Sequence, residues 1–515
     1  MNRSSGVLLH ISSLPSAYGI GSLGREAYAF VDFLKAAGQT LWQLLPLGPT
    51  SYGDSPYQSF STFAGNPYFI DLELLAEDGL LKRAELGTVD WGDDPRRVDY
   101  GKIYTARYAI LKKAFAVGFP RDRQAVERFR AENAWLPDYA LYMALKQHFG
   151  MRSWLDWPDP EIRLRKPEAV ARYTRELSAE IDFFCYLQYL FFQQWNALRT
   201  YAHRLGVRLI GDLPIYVAMD SADVWAEPEF FQLGEDHRPV EVSGVPPDYF
   251  SKDGQLWGNP LYDYDRMAAD GFGWWIRRVE GASRLFDVIR IDHFRGLESY
   301  WAVPYGEATA KNGHWRKGPG MALIGVLQGW FPGLHIIAED LGFLTPEVHQ
   351  LLQDSGLPGM KVLQFAFDSR ESTDYLPHTY PRNCVCYTGT HDNATLLQWL
   401  DEAPAQTLAY AAEYFGLNRA EGYAWGILRG GMASTADTFI APMQDYLLLG
   451  REGRMNTPGK ADGNWQWRLL PGEASPALAA RLRRMTGLYG RLPPQTEESA
   501  APAEPHAETP PAAED

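Results

Sequence analysis

Short apolar runs rich in β-branched residues recur along the chain, separated by stretches with helical or irregular polarity patterns. A run of four to eight such residues bounded by polar or turn-forming residues is typical of a buried strand. The chain has about eight such runs, as a (β/α)8 TIM barrel requires, at residues 6–9, 41–45, 207–210, 288–291, 335–338, 362–367, 384–387 and 438–440. A doubly wound open sheet has a similar rhythm, so the count alone does not decide between the two folds.

Two segments interrupt this rhythm. Residues 72–185 contain long amphipathic, charge-rich stretches with many aromatic residues, which predicts a mainly helical inserted subdomain. Residues 214–286 include a Gly- and Pro-rich stretch, which predicts a loop region that covers the substrate. We therefore expect residues 1–490 to form a barrel with helical and loop insertions and no separate C-terminal β-domain. Residues 491–515 combine Pro, Ala and acids with little to bury, which predicts a disordered tail.

The net charge of the chain is −15, and six acidic residues but no Lys or Arg lie beyond Arg491. This acidic balance argues against nucleic acid as a partner. A membrane role is also disfavoured, because no apolar run approaches the ~20 residues of a spanning helix. The N-terminus has no signal-peptide pattern. The three cysteines, Cys185, Cys384 and Cys386, have no spacing typical of a disulfide framework or a zinc site, so we expect a cytoplasmic protein. We also expect a monomer or weak homo-oligomer.

Four acidic residues directly follow apolar runs: Asp212, Asp292, Glu339 and Asp392. In a parallel barrel, residues just past the strands reach the C-terminal mouth, where groups from different strands converge on one substrate. A glycosidic bond is broken by two carboxyl groups, one of which protonates the leaving oxygen while the other stabilises or attacks the anomeric carbon. Any one of these acids could instead cap the following helix. Four such acids together favour a catalytic site.

The neighbours of these acids support the same interpretation. Arg290 lies two residues before Asp292, so both side chains point to the same face of an extended strand. We expect the cation to keep Asp292 ionised, which suits a nucleophile. His293 and His391 flank two of the acids, Asp292 and Asp392.

Four segments that carry these acids, "GDLPIYV", "DVIRIDHFRG", "IIAEDLG" and "GTHDN", resemble the signature regions of the α-amylase clan in the form typical of glycoside hydrolase family 77. The segments "SYGDSPYQSFSTFAGNPY", "GVPPDYFSKDGQLWGNPLY", "KVLQFAFD", "RMNTPG" and "GNWQWR" are similar to those of amylomaltases and plant disproportionating enzymes. The resemblance covers about residues 6–488. It implies a retaining 4-α-glucanotransferase that moves α-1,4-glucan segments between maltooligosaccharide or starch chains, forms cyclic glucans as well, and needs no cofactor or metal.

The resemblance also assigns roles to residues. It implies that Asp292 is the nucleophile, Glu339 the general acid/base and Asp392 the transition-state stabiliser. It implies substrate contacts for Tyr57, Asp212, Tyr249, Phe250, Trp257, Arg290, His293, Phe365, Asp368, His391 and Asn464. Aromatic residues on a loop over the glucan would stack on sugar faces and exclude water. The alternative is that these aromatic side chains fill a hydrophobic corner, and that Tyr57 is a core residue.

The sequence also leaves three alternative functions open: an oxidoreductase, a glucan-binding protein without activity and a glucan hydrolase. Gly19, Gly21 and Gly24 match the dinucleotide fingerprint G-x-G-x-x-G of an oxidoreductase. The context disagrees, because a loop separates them from the preceding strand and the next strand ends without the acid that would bind ribose. A catalytically silent glucan-binding protein is a second alternative, although all three catalytic acids are present. Within the enzymes, the alternative is an α-1,4-glucan hydrolase.

Overall fold

The computed structural model describes residues 3–51, 53–247, 251–342, 344–367, 373–460 and 462–494. The strands in this part of the chain are β1 (Ser4–Leu8), β2 (Leu41–Gln43), β3 (Arg208–Leu213), β4 (Glu241–Val245), β5 (Gln255–Pro260), β6 (Val288–Ile291), β7 (Ser299–Pro304), β8 (His314–Lys317), β9 (His335–Ala338), β10 (Gly359–Val362), β11 (Cys384–Tyr387) and β12 (Thr438–Pro442).

Eight of these strands form one parallel sheet in the order β10-β11-β12-β1-β2-β3-β6-β9. The two end strands approach each other, because the Ala338 N–H at the end of β9 donates to the Pro358 carbonyl just before β10, at 2.9 Å. The sheet is therefore a nearly closed barrel, and its strands are buried on both faces, as parallel strands usually are. The predicted (β/α)8 barrel is confirmed, and the doubly wound sheet is excluded.

One predicted strand is displaced. The run at 362–367 predicts a strand, whereas β10 spans Gly359–Val362 and a 3-10 helix follows at Leu363–Phe365. Leu363 and Phe367 are nonetheless buried. The apolar run reports this burial at the barrel mouth, and burial alone does not distinguish a strand from a short helix.

The α-helices lie outside the barrel strands and in the segment between β2 and β3. Their bounds are α1 (Arg25–Ala36), α2 (Leu72–Glu77), α3 (Arg83–Leu86), α4 (Tyr100–Glu132), α5 (Leu136–His148), α6 (Pro160–Arg163), α7 (Pro167–Glu176), α8 (Ser178–Arg204), α9 (Ala222–Ala226), α10 (Tyr264–Ala269), α11 (Gly273–Leu285), α12 (Met321–Trp330), α13 (Pro346–Ser355), α14 (Leu396–Glu402), α15 (Ala405–Phe415), α16 (Tyr423–Ala433), α17 (Met443–Tyr446) and α18 (Pro476–Leu488).

Helices α2 to α8 occupy the segment in which a helical insertion is expected. The first of them begins at a capped end, since the Asp71 carboxylate accepts a hydrogen bond from the Leu74 N–H at 2.9 Å. The last, α8, packs on α4 and α5 and continues past the expected boundary at residue 185 as far as Arg204, where it returns the chain to β3. This helix therefore belongs both to the insertion and to the wall of the barrel.

The region at 214–286, expected to be a loop, is in part a sheet. Strands β4 and β5 lie within it and join β7 and β8, which follow the barrel strand β6, in an antiparallel sheet of order β5-β4-β7-β8. The edge strand β8, "HWRK", is exposed along its whole length and carries no apolar alternation. Its polar sequence explains why the pattern did not predict it.

The expected tail boundary at residue 491 is also displaced. Arg491 is fully buried and donates hydrogen bonds to main-chain carbonyls of Ser4, Met432, Ala436 and others. Its guanidinium links the start of β1 to the segment before β12. The folded part of the chain thus includes Arg491, and the residues beyond 494 lie outside the described residues.

Candidate active site

The four acids lie at the same end of the barrel. Asp212 is the penultimate residue of β3, Asp292 and Glu339 directly follow β6 and β9, and Asp392 lies on the loop after β11. Because these strands are parallel, their carboxyl ends share one rim. The main-chain N–H of Asp292 donates to the Leu213 carbonyl, and the N–H of Glu339 donates to the Ile291 carbonyl, both at 3.0 Å. These bonds extend the barrel pairing to the acids themselves.

Arg290 connects two of the acids. Its Nη1 lies 2.7 Å from Asp212 Oδ1 and 2.9 Å from Asp292 Oδ1, and its side chain is almost fully buried. The Tyr57 hydroxyl donates to Asp212 Oδ2 at 2.7 Å. A buried cation with two carboxylate partners is compensated, whereas removing one partner would leave an unpaired buried charge. Arg290 therefore holds the Asp292 carboxylate in place, and Asp212 holds Arg290.

The pKa of Asp292 is higher than its arginine neighbour alone would suggest. Burial raises the pKa of Asp292 to about 6, although Arg290 opposes this shift, because the carboxylates of Asp212 and Asp392 act in the same direction as burial. Asp292 keeps 27% of its side-chain surface exposed. The pKa of Asp292 thus lies above that of an ordinary aspartate, although Arg290 lies within 2.9 Å of its carboxylate.

Glu339 is held by two main-chain donors. The His293 N–H donates to its Oε2 at 2.7 Å, and the Leu341 N–H donates to its Oε1 at 2.9 Å. His293 has a left-handed backbone, with φ of 53°, an uncommon conformation for a residue other than glycine that clusters at functional sites. Burial raises the pKa of Glu339 to about 7, and the charge of Asp292 adds to this shift. Burial and the charge of Asp292 thus both favour the protonated form of Glu339, which is the form that a general acid requires.

Asp392 is the opposite case. Burial raises the pKa of this carboxyl, but His391 Nε2 at 3.2 Å from Asp392 Oδ2 and the Asn456 Nδ2 at 2.6 Å from Asp392 Oδ1 outweigh burial and lower the pKa to about 2. Burial lowers the pKa of His391, but Asp392 more than reverses that effect and the net shift is upward. Asp392 therefore remains ionised throughout the neutral range, as a stabiliser of positive charge requires.

A cleft of about 480 Å³ opens over Asp292 and Asp392, a typical volume for a small-ligand site. Asp292, His391 and Asp392 line it together with aromatic side chains. Tyr57 stacks on the His391 ring with centroids 5.2 Å apart, and Trp257 meets the His293 ring edge-on at 4.8 Å. Apolar ring faces beside carboxylates suit a sugar, which presents both C–H faces and hydroxyl groups.

The remaining residues expected to bind substrate divide into three groups. Asp212 and Arg290 are buried and contact each other. Phe365 packs edge-on against Tyr375 at 5.6 Å in the 3-10 helix after β10, and Asn464 lines the cleft but uses its side chain to hold its own loop, through Thr457 N and Lys460 O. The other three lie outside the described residues: Tyr249, Phe250 and Asp368.

Sequence reasoning missed several residues that contact Asp392 or the cleft. Asn456 bonds the Asp392 carboxylate, and Arg454 Nη2 donates to the Asp392 main-chain carbonyl at 3.0 Å. Trp465, in the segment "GNWQWR", lines the cleft and packs near Tyr57 and His391. The resemblance flagged both segments, but nothing in them indicates a partner more than sixty residues earlier in the chain.

Asp445 is a further missed residue that acts through others. It is buried after β12, where its Oδ2 accepts from the Thr388 hydroxyl at 2.5 Å and its Oδ1 accepts from the Leu396 N–H at 2.7 Å. These donors stand at the two ends of the loop that carries His391 and Asp392. One carboxylate thus fixes both ends of this loop, which makes Asp445 a positioning residue.

We expect Asp445→Ala to lower kcat about ten- to a hundredfold with little change in KM, because a misplacement of about 1 Å at a catalytic group has an effect of that size. Asp445→Asn should recover most of this loss, since its Oδ1 still accepts from the Leu396 N–H while its amide donates to the Thr388 hydroxyl oxygen. Steady-state kinetics well below each variant's Tm separates the effect from instability. A variant with a lowered Tm but unchanged kcat would show that Asp445 serves stability alone.

The glycine pattern at residues 19–24 has a structural explanation. A side-chain Cβ at Gly21 would stand 1.9 Å from the Ile11 carbonyl oxygen, and one at Gly24 would stand 2.1 Å from Asp71 Oδ2. Gly24 precedes α1, so the Asp71 carboxylate lies where a dinucleotide would need to place its pyrophosphate. These glycines permit close packing, and the neighbouring acid would repel a phosphate.

Neither a metal-binding cluster nor a membrane-spanning helix is found in the part of the chain that the structure describes. Within those residues, no group of three or more His, Cys, Asp or Glu side chains is arranged to hold a metal ion. The helices of the same part include none with the length and apolar character needed to span a bilayer. The cysteines Cys185, Cys384 and Cys386 are buried free thiols.

A (β/α)8 barrel with a paired aspartate, a proton-holding glutamate and a second charged aspartate at its C-terminal mouth defines an enzyme of the class that acts on glycosidic bonds. The sequence pattern of the family described as 4-alpha-glucanotransferase matches residues 9–473. The chain belongs to this 4-alpha-glucanotransferase family.

Similar proteins agree with this assignment. A 4-alpha-glucanotransferase of Thermus thermophilus is 51% identical over 503 residues, which cover 95% of this chain and 99% of that protein. One of Clostridium butyricum is 48% identical over 486 residues, covering 94% of this chain and 100% of that protein. An amylomaltase from Streptococcus agalactiae, solved in complex with acarbose, matches the structure with a TM-score of 0.93 at 41% identity, covering 95% of this chain and 100% of that one.

Proposed function

We propose that this enzyme transfers α-1,4-glucan segments by a double displacement that retains the α configuration. The protonated Glu339 gives its proton to the leaving 4-oxygen as the Asp292 carboxylate attacks the anomeric carbon and forms a β-linked glucosyl-enzyme. The 4-hydroxyl of an acceptor sugar then gives its proton to Glu339 and attacks the same carbon, which releases Asp292. Asp392, ionised at all working pH values, stabilises the positive charge of both transition states.

The observation that carries this proposal is the different surroundings of the two carboxyl groups. Asp292 pairs with Arg290 at 2.9 Å, whereas the groups that bond the Glu339 carboxylate, among the described residues, are the neutral main-chain N–H groups of His293 and Leu341. The nucleophile must be ionised while the acid is protonated. A carboxylate beside a cation and a buried carboxyl group without one favour that combination.

The cleft supports an oligosaccharide as the substrate. Its volume, its aromatic faces at Tyr57 and Trp257, and the acarbose bound to the related amylomaltase suit a chain of glucose units. The sequence predictions that Tyr249 and Phe250 cover the glucan and exclude water belong to this proposal, as does the formation of cyclic glucans when the acceptor is the far end of the same chain. We further propose that the enzyme works in the cytoplasm as a monomer or weak homo-oligomer.

Incubation with pure maltotriose tests the proposed transfer. Transfer yields glucose and a ladder of longer maltooligosaccharides at a constant number of reducing ends. Hydrolysis, the alternative activity, yields maltose and glucose with a steady rise in reducing ends. No change in the substrate would point instead to a glucan-binding protein without activity.

The pH dependence of kcat/KM follows from the two carboxyl groups. Activity falls as pH drops below about 6, where Asp292 gains a proton, and falls again as pH rises above about 7, where Glu339 loses its own. We expect a narrow bell-shaped profile with apparent pKa values that belong to the pair. Initial rates of maltotriose transfer at constant ionic strength measure it. A rate that stays flat to pH 9 would contradict Glu339 as the proton donor.

A further inference from the structure

The N-terminal end of the barrel, opposite the catalytic acids, contains a second large cavity. Its volume is about 630 Å³, and its walls include the start of β1, the start of β3 and the segment that follows α18. The charged side chains that line it are Arg3, Arg208, Arg491 and Asp287, together with polar ones such as Thr40 and His203. Nothing in the reaction proposed above uses this cavity.

Three guanidinium groups line this cavity, and no carboxylate pairs with any of them among the described residues. Arg3 and Arg491 donate only to main-chain carbonyls, such as Ser434 O, which both contact, and Met432 O. Arg208 is half-buried, and while its main-chain N–H donates to the Thr40 carbonyl, its side chain has no hydrogen-bond or salt-bridge partner in the described part of the chain. The cavity therefore holds an excess of positive charge within a chain whose net charge is −15.

The nearby carboxylates are already occupied. Asp287, which also lines the cavity, accepts from Arg199 at 2.8 Å and contacts His203 at 2.9 Å. Asp437 is paired with Arg382 at 3.3 Å. Within the described residues neither acid forms a salt bridge with Arg3, Arg208 or Arg491, although the charge of Asp437 acts on Arg3 and Arg491 from a greater distance.

Burial and like charge both act against the charged forms of Arg3 and Arg491. Burial lowers the pKa of Arg491 to about 10, and the like charge of Arg3 adds to that shift. Burial also lowers the pKa of Arg3. The charge of Asp437 opposes this downward shift, and the charge of Arg382 adds to it. Cations that repel one another in a partly desolvated cavity are stabilised by a bound anion, and guanidinium groups bind carboxylates and phosphates through paired hydrogen bonds.

We propose that this cavity binds an anion through Arg208 and Arg3, with a phosphate or carboxylate group as the part recognised. Its volume accommodates a ligand as large as a phosphorylated sugar. Two sources of such a group are available to the protein. One is a free phosphorylated molecule, and the other is the chain itself, because Pro494 lines the cavity and the six acidic residues of the chain's end follow it.

Thermal unfolding of the full chain with inorganic phosphate and with glucose 1-phosphate tests this site, against NaCl at equal ionic strength. A ligand that binds only the folded state raises Tm in a saturable way. Arg208→Met should raise the Kd for phosphate about ten- to a hundredfold, because a hydrogen bond to a charged group accounts for a change of that size. Lys113→Met is the matched control, since Lys113 forms an exposed ion pair with Glu85 in the helical insertion.

A full-length variant distinguishes the two sources of the anion. In this variant the corresponding amides replace Glu497, Glu498, Glu504, Glu508, Glu514 and Asp515. If phosphate stabilises the unaltered chain and the amide variant equally, and the effect depends on Arg208, the anion is a free ligand. If phosphate stabilises only the amide variant, the chain's own acidic residues occupy the cavity. The proposal is overturned if NaCl reproduces the effect, if Arg208→Met responds like the unaltered chain, or if phosphate stabilises neither chain.

Discussion

An Asp292→Asn enzyme should lose at least about 10⁴-fold of its transfer activity on maltotriose, since removing a catalytic nucleophile has effects of this order or larger. The amide is nearly isosteric with the carboxylate but cannot form the covalent bond to the anomeric carbon. Arg290 keeps its contact with Asp212, so the site remains compensated and the fold should persist. Product analysis over extended incubation measures the residual rate.

The matched control for this prediction is Asp182→Asn. Asp182 pairs with Arg130 at 2.8 Å on the helical insertion, away from the barrel mouth, so its loss should leave the transfer rate unchanged. Circular dichroism and the Tm of both variants show whether each is folded. A folded Asp292→Asn enzyme that retained a tenth of the activity would rule out Asp292 as the nucleophile.

The barrel was largely predictable because its strands are buried on both faces. Runs such as residues 288–291 and 384–387 coincide with β6 and β11, since a strand without a solvent-exposed face carries no polar alternation. β8 escaped prediction for the opposite reason, because its side chains are all exposed and its pairing with β7 alone makes it a strand. The pattern of apolar residues along a segment indicates which side chains are buried, and β8 has no buried side chain.

The positions of the four acids at the barrel rim were predictable for a related reason. A charged residue directly after a buried strand reaches the barrel rim, so Asp292 and Glu339 could be placed without knowing their partners. Their pKa values could not be predicted in the same way. Arg290 at two residues' distance suggested a firmly ionised Asp292, whereas its pKa also depends on burial and on Asp212, which is eighty residues earlier in the chain.

Contacts that bridge distant segments explain what the sequence did not show. Asn456 bonds Asp392 across 64 positions, and Asp445 fixes a loop through donors 57 and 49 positions earlier. Residue 491 was assigned to the tail because Pro, Ala and acidic residues with little to bury follow it, yet the Arg491 guanidinium donates to the main-chain carbonyls of Ser4 and Ala436. A carbonyl acceptor leaves no trace in the sequence.

A Glu339→Gln enzyme should lose about 10²- to 10⁴-fold of its rate on maltotriose, the usual contribution of a general acid–base group. The loss depends on the substrate. With α-maltosyl fluoride the first step needs little protonation, because fluoride is a good leaving group, so Asp292 should still attack at a nearly normal rate. The second step still lacks its base, so the glucosyl-enzyme should accumulate after an initial burst of fluoride.

Azide completes the assignment of Glu339, because this anion attacks the intermediate without first giving up a proton. Its addition should restore fluoride release by Glu339→Gln and yield an α-linked glycosyl azide, since inversion at the β-linked intermediate gives the α product. Asp292→Asn should show neither the burst nor the rescue. If azide yields a β-linked product in Glu339→Gln, displacement has occurred without a covalent intermediate, and the double displacement through Asp292 is wrong.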